Sequence, residues 1–364
     1  MKRVRIGVIG CGVISGIYFQ NLTNFEAVEV VACADLNAAA AQAVVDKYPS
    51  IKAVSTEALL ADPTIEIVLN LTQPKFHNEV MRAGIAAGKH VYGEKPLAVE
   101  FEESAEMMVL AEKAGVRVGC APDTFLGAGI QTCRTLIDEG AIGEPIAATA
   151  FFTSHGVESW HPAPGFYYER GGGPMLDMGP YYLTALVNFL GPARSVSGSS
   201  RATFAERTIT SEPLNGTKIE VETPTHISGT VDFASGAIGT VLTTFDIWGA
   251  KLPFIEIYGS EGSLSVPNPN NFGDPVQILS REKGEWEDVP YSRPFSENSR
   301  GLGVADMAAS IASGEPHRAS GALASHVLEI LHAFNLSSES GKRIDLTTTC
   351  DRPAPLPVDL LNFG

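Results

Sequence analysis

The feature that most constrains the fold of this 364-residue chain is a glycine-rich turn, Gly10-Cys11-Gly12-Val13-Ile14-Ser15-Gly16. It follows an apolar run, Val4–Ile9, which has the length and composition of a buried strand, and it leads into a predicted helix over Ile14–Asn24. A strand, a glycine turn and a helix in this order begin a βαβ unit. Apolar runs and helical stretches keep alternating as far as residue 120, which predicts a parallel sheet with helices on both faces.

The turn has the features of a pyrophosphate-binding site. Gly10 allows a tight turn, and Gly12 has no Cβ, so that a phosphate group can approach the backbone closely. The N-terminus of the following helix offers unpaired N–H groups and a partial positive charge. We therefore predict that Gly10, Gly12, Val13 and Ile14 bind the phosphates of a dinucleotide. The alternative is that the glycines form a turn and nothing more.

Asp35 indicates which dinucleotide is bound. It lies 23 residues after Gly12, at the end of the second predicted strand, Val28–Ala34. A carboxylate at this place accepts hydrogen bonds from the ribose hydroxyls of adenosine and repels a 2′-phosphate. The next two residues, Leu36 and Asn37, provide no cation to pair with such a phosphate. The sequence therefore predicts NAD as the cofactor in preference to NADP. The alternative is that Asp35 caps a helix.

A second candidate segment is Glu94-Lys95-Pro96, which follows a short predicted strand, Val91–Gly93. In an open α/β sheet, ligands bind beyond the carboxyl ends of the strands. Lys95 at such a place can hydrogen-bond a substrate hydroxyl and stabilise a developing alkoxide. The alternative is that Glu94 and Lys95 form a solvated surface pair.

The pattern changes after Pro122, where a β-rich half begins. We predict an α/β fold, with an N-terminal Rossmann domain, a doubly wound parallel sheet, at 1–122. A C-terminal α/β domain with an open, mostly antiparallel sheet, for substrate binding and oligomerisation, is predicted at 123–364. Its predicted strands are Ala147–Thr153, Lys218–Thr223, Thr225–Phe233, Ala237–Phe245, Phe254–Tyr258, Ser263–Val266, Val276–Ser280 and Trp286–Val289. Two late helices, predicted at Gly303–Ser313 and Leu323–Ser338, can pack back on the first domain, so the boundary need not be a single cut.

Asp177 and Tyr181 are the candidate polar groups of the second half. They are four residues apart, a spacing that places both on one face of a helix. Pro180 fits only the first turn of a helix, so we expect the helix to begin near Met178 or to kink there. A phenol titrates near pH 10, and a neighbouring Lys95 ammonium would lower the pKa of Tyr181. The alternative is that Tyr181 is a core aromatic residue, as we predict for the adjacent Tyr182.

The loop before these residues is rich in aromatic groups. We predict that His155, Trp160 and His161 bind substrate, because aromatic faces suit the C–H faces of sugars and imidazoles hydrogen-bond hydroxyls. The alternative is that they form a small core within the loop. Trp248 follows a predicted strand and is a weaker candidate for the same pocket. None of the eight histidines has HxH or HxxxH spacing, so no metal site is predicted.

Taken together, the motifs resemble those of the Gfo/Idh/MocA oxidoreductases over nearly the whole chain. The likeness is carried by the glycine turn, Asp35, Thr72-Gln73-Pro74-Lys75-Phe76-His77, Glu94-Lys95-Pro96 and Glu139–Glu144. The resemblance implies nicotinamide chemistry on sugars or cyclitols, with Lys95 contacting both substrate and nicotinamide. It also implies that Thr72, Pro74, His77 and Glu94 lie along the cofactor. The family usually has Asp-x-x-x-His where this chain has Asp177 and Tyr181, so the acid–base group differs.

These residues predict an oxidoreductase that transfers a hydride between NAD and a carbinol of a sugar, anhydrosugar or cyclitol. Tyr181 accepts the hydroxyl proton, and Lys95 polarises the oxygen. Asp177 fixes the substrate through a second hydroxyl or orients Lys95. Two alternatives remain open: an NAD-dependent glycosidase that uses transient oxidation, and a non-catalytic regulator that senses NAD or a sugar.

Composition limits the partners and the location. The formal charge of −16 disfavours nucleic acid and anionic membranes as partners. The five cysteines include no CxxC pair, and no apolar run reaches the length of a membrane span, which predicts a cytoplasmic protein. An open sheet with an uncovered apolar face is an aggregation hazard, so we predict a homodimer or homotetramer formed through the C-terminal sheet.

Overall fold

The structure is a computed structural model, and it describes residues 3–358. The chain forms two compact units. Of the described residues, the first contains 3–127, Pro294–Ser325 and 353–358, and the second contains Ala128–Arg293 and His326–Arg352. The chain thus leaves the first unit and returns to it. The division by function at 1–122 and 123–364 stays a prediction.

The chain contains ten α-helices and seventeen strands within the described residues. In order they are β1 (Val4–Ile9), α1 (Ser15–Leu22), β2 (Val28–Ala34), α2 (Ala38–Lys47), β3 (Lys52–Ala53), α3 (Thr56–Ala61), β4 (Ile67–Asn70), α4 (His77–Ala86), β5 (His90–Gly93), α5 (Phe101–Ala114), β6 (Val118–Cys120), α6 (Ala128–Asp138), β7 (Pro145–Thr153), α7 (Gly173–Asp177), α8 (Gly179–Leu190), β8 (Ala193–Arg201), β9 (Glu206–Thr208), β10 (Lys218–Glu220), β11 (His226–Phe233), β12 (Ile238–Thr244), β13 (Ile255–Gly259), β14 (Gly262–Val266), β15 (Val276–Ser280), β16 (Trp286–Val289), α9 (Leu302–Ser313), α10 (Gly321–Ser340) and β17 (Ile344–Asp345).

The sheet of the first unit has six parallel strands in the order β3-β2-β1-β4-β5-β6. The strand order reverses between β1 and β4, so that the carboxyl ends of these two strands flank the crevice in which doubly wound sheets bind ligands. The predicted Rossmann fold is confirmed.

The returning segment completes the edge of this sheet. The Cys120 N–H on β6 donates a hydrogen bond to the Ala319 carbonyl, at 3.1 Å. The buried Asp123 carboxylate accepts hydrogen bonds from the N–H groups of Gly301 (2.8 Å) and Gly303 (3.0 Å), at the start of α9. The late helix α9 is therefore part of the first unit.

The second unit is built on a nine-stranded sheet in the order β16-β15-β14-β13-β7-β12-β11-β8-β17. All of its strand pairs are antiparallel except β7 with β12, so the predicted mostly antiparallel sheet is confirmed. Helices α6, α7 and α8 pack against it. A separate antiparallel pair, β9 and β10, lies outside this sheet.

Strand β8 is a long strand that the sequence analysis did not predict. It reads ARSVSGSSR, and small polar residues have low strand propensity. Packing explains the composition, because a Cβ at Gly198 would lie 2.8 Å from the Phe334 carbonyl of α10. Small residues let this helix approach the sheet closely.

Within residues 3–358, no helix is both long enough and apolar enough to span a membrane.

Candidate active site

The glycine turn closes tightly between β1 and α1. Gly10 has φ +102°, and a Cβ there would lie 2.6 Å from the Leu71 carbonyl carbon, so Gly10 is required both for its backbone conformation and for close packing. Gly12 is exposed, and nothing lies within 4 Å of a Cβ placed on it. The Ser15 hydroxyl donates a 2.7 Å hydrogen bond to the Gly12 carbonyl and ties the turn to the helix. The turn therefore presents open backbone beside a helix N-terminus, the arrangement that suits a pyrophosphate.

Asp35 is fixed against this turn. Its Oδ2 accepts a hydrogen bond from the Cys11 N–H and its Oδ1 from the Asn37 N–H, each at 2.7 Å. Val13 and Leu36, on the two segments beside it, are almost fully exposed. The carboxylate is thus held at the carboxyl ends of β1 and β2, beside the open turn. These residues fit the adenosine and pyrophosphate of NAD.

The loop after β4 is held by side-chain hydrogen bonds. Asn70 Oδ1 accepts hydrogen bonds from the Thr72 hydroxyl (2.6 Å) and the Thr72 N–H (3.1 Å). His77 is buried, with Nδ1 2.7 Å from the Pro96 carbonyl oxygen and Nε2 3.0 Å from the Thr72 carbonyl oxygen. Burial is the largest influence on the imidazole and lowers the pKa of His77. His77 therefore joins the Thr72 loop to the Lys95 loop, while its contact with a cofactor stays a prediction. Pro74 begins a short 3-10 helix in the same loop.

Lys95 directly follows a buried carboxylate that is itself held in place. The Tyr18 hydroxyl of α1 donates a 2.7 Å hydrogen bond to Glu94 Oε1, and Glu94 Oε2 accepts a 3.0 Å hydrogen bond from the Lys95 N–H. Burial, together with the Glu94 carboxylate, raises the pKa of Tyr18 well above its usual value, so Tyr18 stays a donor. The Lys95–Pro96 peptide bond is cis. Because Glu94 is buried, the predicted alternative of a solvated Glu94–Lys95 surface pair is wrong for Glu94.

Asp177 and Tyr181 lie on either side of a helix break. Helix α7 ends at Asp177, Met178 caps the next helix, and α8 begins at Gly179 with Pro180 in its first turn. The Tyr181 N–H donates to the Met178 carbonyl at 3.1 Å. The expected break at Met178 is confirmed, so the two side chains do not share one continuous helix face. Asp177 directly precedes the cap of α8, and Tyr181 lies in its first turn with 8% of its surface exposed.

Tyr182 is a core residue, as predicted. It is buried and packs against Phe152, with a distance of 6.2 Å between ring centroids. Burial raises the pKa of its phenol. Its hydroxyl has no hydrogen-bond partner among the described residues.

The three predicted substrate ligands lie in different surroundings. His161 packs edge-on against Trp160, Phe166 and Tyr167, at centroid distances of 5.2 to 5.5 Å, so this part of the loop forms a small aromatic cluster of its own. Trp160 is 63% exposed. His155 instead stacks on Trp248, with centroids 3.4 Å apart and planes 15° from parallel.

The structure also reveals residues that the sequence analysis missed. Tyr18 and Asn70 hold the loops of the first unit, and an ion-pair cluster of Arg207, Glu158 and Asp246 lies buried in the second. A buried tyrosine at mid-helix has no distinguishing pattern in a single sequence. In the part of the chain that the structure describes, no group of three or more His, Cys, Asp or Glu residues is arranged to hold a metal.

Comparison with known proteins identifies the family of the chain. A model of an oxidoreductase family with an NAD-binding Rossmann fold matches residues 4–121, and a GFO/IDH/MocA C-terminal domain matches residues 130–265. The chain is 32% identical to 1,5-anhydro-D-fructose reductase of Ensifer adhaerens over 71% of its length and 74% of the relative's. It is 25% identical to myo-inositol 2-dehydrogenase of Thermotoga maritima, over 94% and 98% of the two chains. The crystal structure of levoglucosan dehydrogenase with NADH and L-sorbose has the same fold, with a TM-score of 0.81 at 22% identity over 96% of this chain and 100% of that chain.

Proposed function

Since the chain belongs to the Gfo/Idh/MocA family of oxidoreductases and carries an NAD-binding Rossmann domain, we propose that it oxidises a carbinol of a neutral sugar, anhydrosugar or cyclitol and catalyses the reverse reduction. The observation that carries the proposal is that one unit contains both an ordered glycine turn with Asp35 hydrogen-bonded to it and Lys95 just after β5. The relatives that act on anhydrofructose and myo-inositol support the substrate class.

The residues of the first unit bind and orient the cofactor. The Gly10–Gly12 turn and the α1 N-terminus receive the pyrophosphate, and Asp35 accepts the ribose hydroxyls. Thr72, Pro74 and Glu94 lie along the cofactor toward its nicotinamide end. Asn70 hydrogen-bonds Thr72, and Tyr18 hydrogen-bonds Glu94. When bound, NAD supplies a hydride acceptor at one carbon of its nicotinamide ring.

Three residues of this chain act on the substrate in the proposed reaction. Tyr181 accepts the proton of the carbinol hydroxyl and returns it in the reduction. The Lys95 ammonium donates a hydrogen bond to the same oxygen and favours the anionic form of the phenol. Asp177 accepts a hydrogen bond from a second substrate hydroxyl. His155, Trp160 and His161 complete the substrate side.

We also propose that two or four copies assemble through the exposed face of the nine-stranded sheet. On this face Ile238 lies opposite Ala147, and Leu242 opposite Phe151, and Ile238 is half exposed. Burying these apolar groups against a second copy would remove them from water. Light scattering should give a mass at least twice the 38.6 kDa of one chain, and a monomer would contradict the assembly. A cytoplasmic location agrees with the five free thiols.

The test of the function is a spectrophotometric assay of NADH formation from NAD+, or of NADPH formation from NADP+, with sugars, anhydrosugars and inositols. With the best substrate, Lys95→Ala should lose about 10²-fold or more in turnover while NAD+ binding is retained. Lys113→Ala, at an exposed lysine of α5, is the matched control and should be unchanged. Near-normal turnover in Lys95→Ala would contradict the assignment. Aglycone release from a chromogenic glycoside without net NADH would instead favour the glycosidase.

A further inference from the structure

The second unit contains a cavity of about 500 Å³ beside His155, one of the residues proposed for the substrate side. Its walls come from the loop after β7, from β9 and from the loop after β12. The residues that matter for its chemistry are His155, Glu158, Glu206, Arg207, Thr208 and Trp248. Neither Asp177 nor Tyr181 lines it. The volume lies within the range of small-molecule sites.

Trp248 gives the cavity an open aromatic face. The indole stacks on His155, yet 86% of the Trp248 surface is exposed, so a large apolar ring faces water. An exposed indole beside polar groups offers a flat apolar face to a ligand. Nδ1 of the stacked His155 is buried and has no hydrogen-bond partner in the described chain. A flat apolar ring beside polar atoms suits a pyranose, which has C–H faces and hydroxyl edges.

The charges of the cavity select a neutral ligand. The Arg207 guanidinium donates to Glu158 (2.6 Å), to Asp246 (3.2 Å) and to two backbone carbonyls, which uses four of its five N–H donors. It therefore has little capacity left for an anion. Glu158 and Glu206 place two carboxylates on the wall, the second of them paired with Lys218. Carboxylates accept hydrogen bonds from hydroxyl groups and repel phosphates and carboxylate ligands.

The two loops that carry the aromatic pair are fixed to each other. Arg207 Nη2 donates to the His155 carbonyl at 2.7 Å, and its Nη1 pairs with Asp246, two residues before Trp248. The Ile247 N–H donates to the Ser154 carbonyl at 3.0 Å. Because these contacts hold both loops, the stacked rings are ordered before any ligand arrives, which lowers the entropic cost of binding.

A continuous set of aromatic contacts links the cavity to helix α8, which carries Tyr181. The Tyr168 hydroxyl donates to Glu158 in the wall, and its ring lies 5.9 Å from that of Phe245. Phe245 contacts Phe152 (6.1 Å), and Phe152 contacts Tyr182, the neighbour of Tyr181 on α8. The cavity wall and Tyr182, the neighbour of the predicted acid–base residue, therefore share one packed core within the second unit.

We propose that this cavity binds a second, neutral glycosyl ring, stacked on Trp248, so that the preferred substrates are glycosides or disaccharides rather than single sugar rings. This rests on the proposed function, because one ring of the substrate must reach Tyr181 while the other lies on Trp248. The additional ring lowers KM and leaves the chemistry of the oxidised ring unchanged.

The direct test measures binding without turnover. The intrinsic fluorescence of the wild-type enzyme is titrated with a panel of neutral disaccharides (cellobiose, maltose, lactose, trehalose) and with glucose. We expect at least one disaccharide to change the fluorescence, and Trp248→Ala to weaken its binding about 10-fold by calorimetry. Trp286→Ala, which removes a partly exposed indole from the edge strand β16, is the matched control and should bind like the wild type.

Kinetics separate this inference from the proposed function. With an oxidised disaccharide, Trp248→Ala should raise KM about 10-fold and change kcat much less, and the rise in KM should be smaller with a single-ring substrate. Equal binding of disaccharides by wild type and Trp248→Ala overturns the inference, as does a Trp248→Ala enzyme whose main change is its mass in light scattering. Loss of all sugar turnover in the wild type would instead overturn the proposed function, and the binding titration would still decide the cavity.

Discussion

Tyr18 and Glu94 are 76 residues apart in the chain and joined by a 2.7 Å hydrogen bond in the interior of the first unit. Tyr18 belongs to the helix that follows the glycine turn, and Glu94 precedes Lys95. The same carboxylate accepts the Lys95 N–H. Helix α1, whose N-terminus is proposed to receive the cofactor phosphates, and the loop that carries Lys95 therefore both contact a single buried carboxylate.

Removing the Tyr18 hydroxyl should disturb the loop that carries Lys95. Tyr18→Phe leaves Glu94 Oε1 buried without its donor, and we expect the free energy of unfolding to fall by about 2 kcal/mol. We also expect kcat to fall more than KM for NAD+ rises, because the loop moves and the glycine turn does not. Steady-state kinetics and denaturant unfolding measure the two effects. Tyr48→Phe, at the end of α2, is the control, and identical kinetics in both variants would disprove the positioning role.

The adjacent tyrosines of α8 should behave differently. Tyr181→Phe removes the proposed proton acceptor and should lower kcat/KM about 10²-fold. Tyr182→Phe removes a buried hydroxyl that has no partner in the described structure, so activity should stay within a factor of two and stability should not decrease. Kinetic and unfolding measurements on the pair distinguish chemistry from packing. Equal losses of activity would show that Tyr181 is a core residue.

Asp35 should decide the cofactor preference. Asp35→Ala removes the acceptor for the ribose hydroxyls and also releases the Cys11 N–H of the glycine turn. We expect KM for NAD+ to rise about 10-fold or more and the preference for NAD+ over NADP+ to shrink. Asp46→Ala, on the exposed side of α2, is the control. An unchanged NAD+ to NADP+ ratio in Asp35→Ala would refute the role of the carboxylate.

His317 should make the fold sensitive to mild acid. Burial is the main cause that lowers the pKa of His317 to about 4, while Nε2 lies 2.9 Å from the Val118 carbonyl oxygen. The unfolded chain takes up a proton near pH 6.5 and the folded chain near pH 4. Stability is therefore full above the higher value and lost as the pH falls through this window, by about 3 kcal/mol in total.

The measurement is denaturant unfolding between pH 4 and pH 7.5. His317→Gln keeps a side-chain donor for the Val118 carbonyl but does not titrate, so its stability should fall less with acid than that of the wild type. If the two proteins lose stability in parallel, another group causes the acid sensitivity.

Much of the first unit could be predicted because its signals are local. Strands β1 and β2 have the predicted bounds residue for residue, since apolar runs mark them. The helix break at Met178 was predictable too, because Pro180 is a local signal that fits only the first turn of a helix. Strand β8 was not, because its sequence is explained by the approach of Phe334, a residue far along the chain.

The site divides in the same way. The positions of Gly10, Gly12, Asp35 and Lys95 were predictable because each stands at a fixed place relative to a strand end, while their roles in binding and catalysis stay predictions. The hydrogen bond from Tyr18 and the stacking of His155 on Trp248 were not, because both depend on side chains that only the folded sheet brings together.

The return of the chain to its first unit has a consequence for synthesis in the cell. His317 contacts Val118 across 199 residues of sequence, and Ala319 is the acceptor for the backbone of Cys120. A nascent chain that has just emerged as far as α6 thus exposes an unfinished sheet edge. Synthesis of the dinucleotide-binding unit begins first. Its sheet edge can be completed only after the β-rich unit has also been translated, because the returning segment follows that unit in the chain. An N-terminal fragment cut at residue 122 would keep that edge open to strands of other molecules.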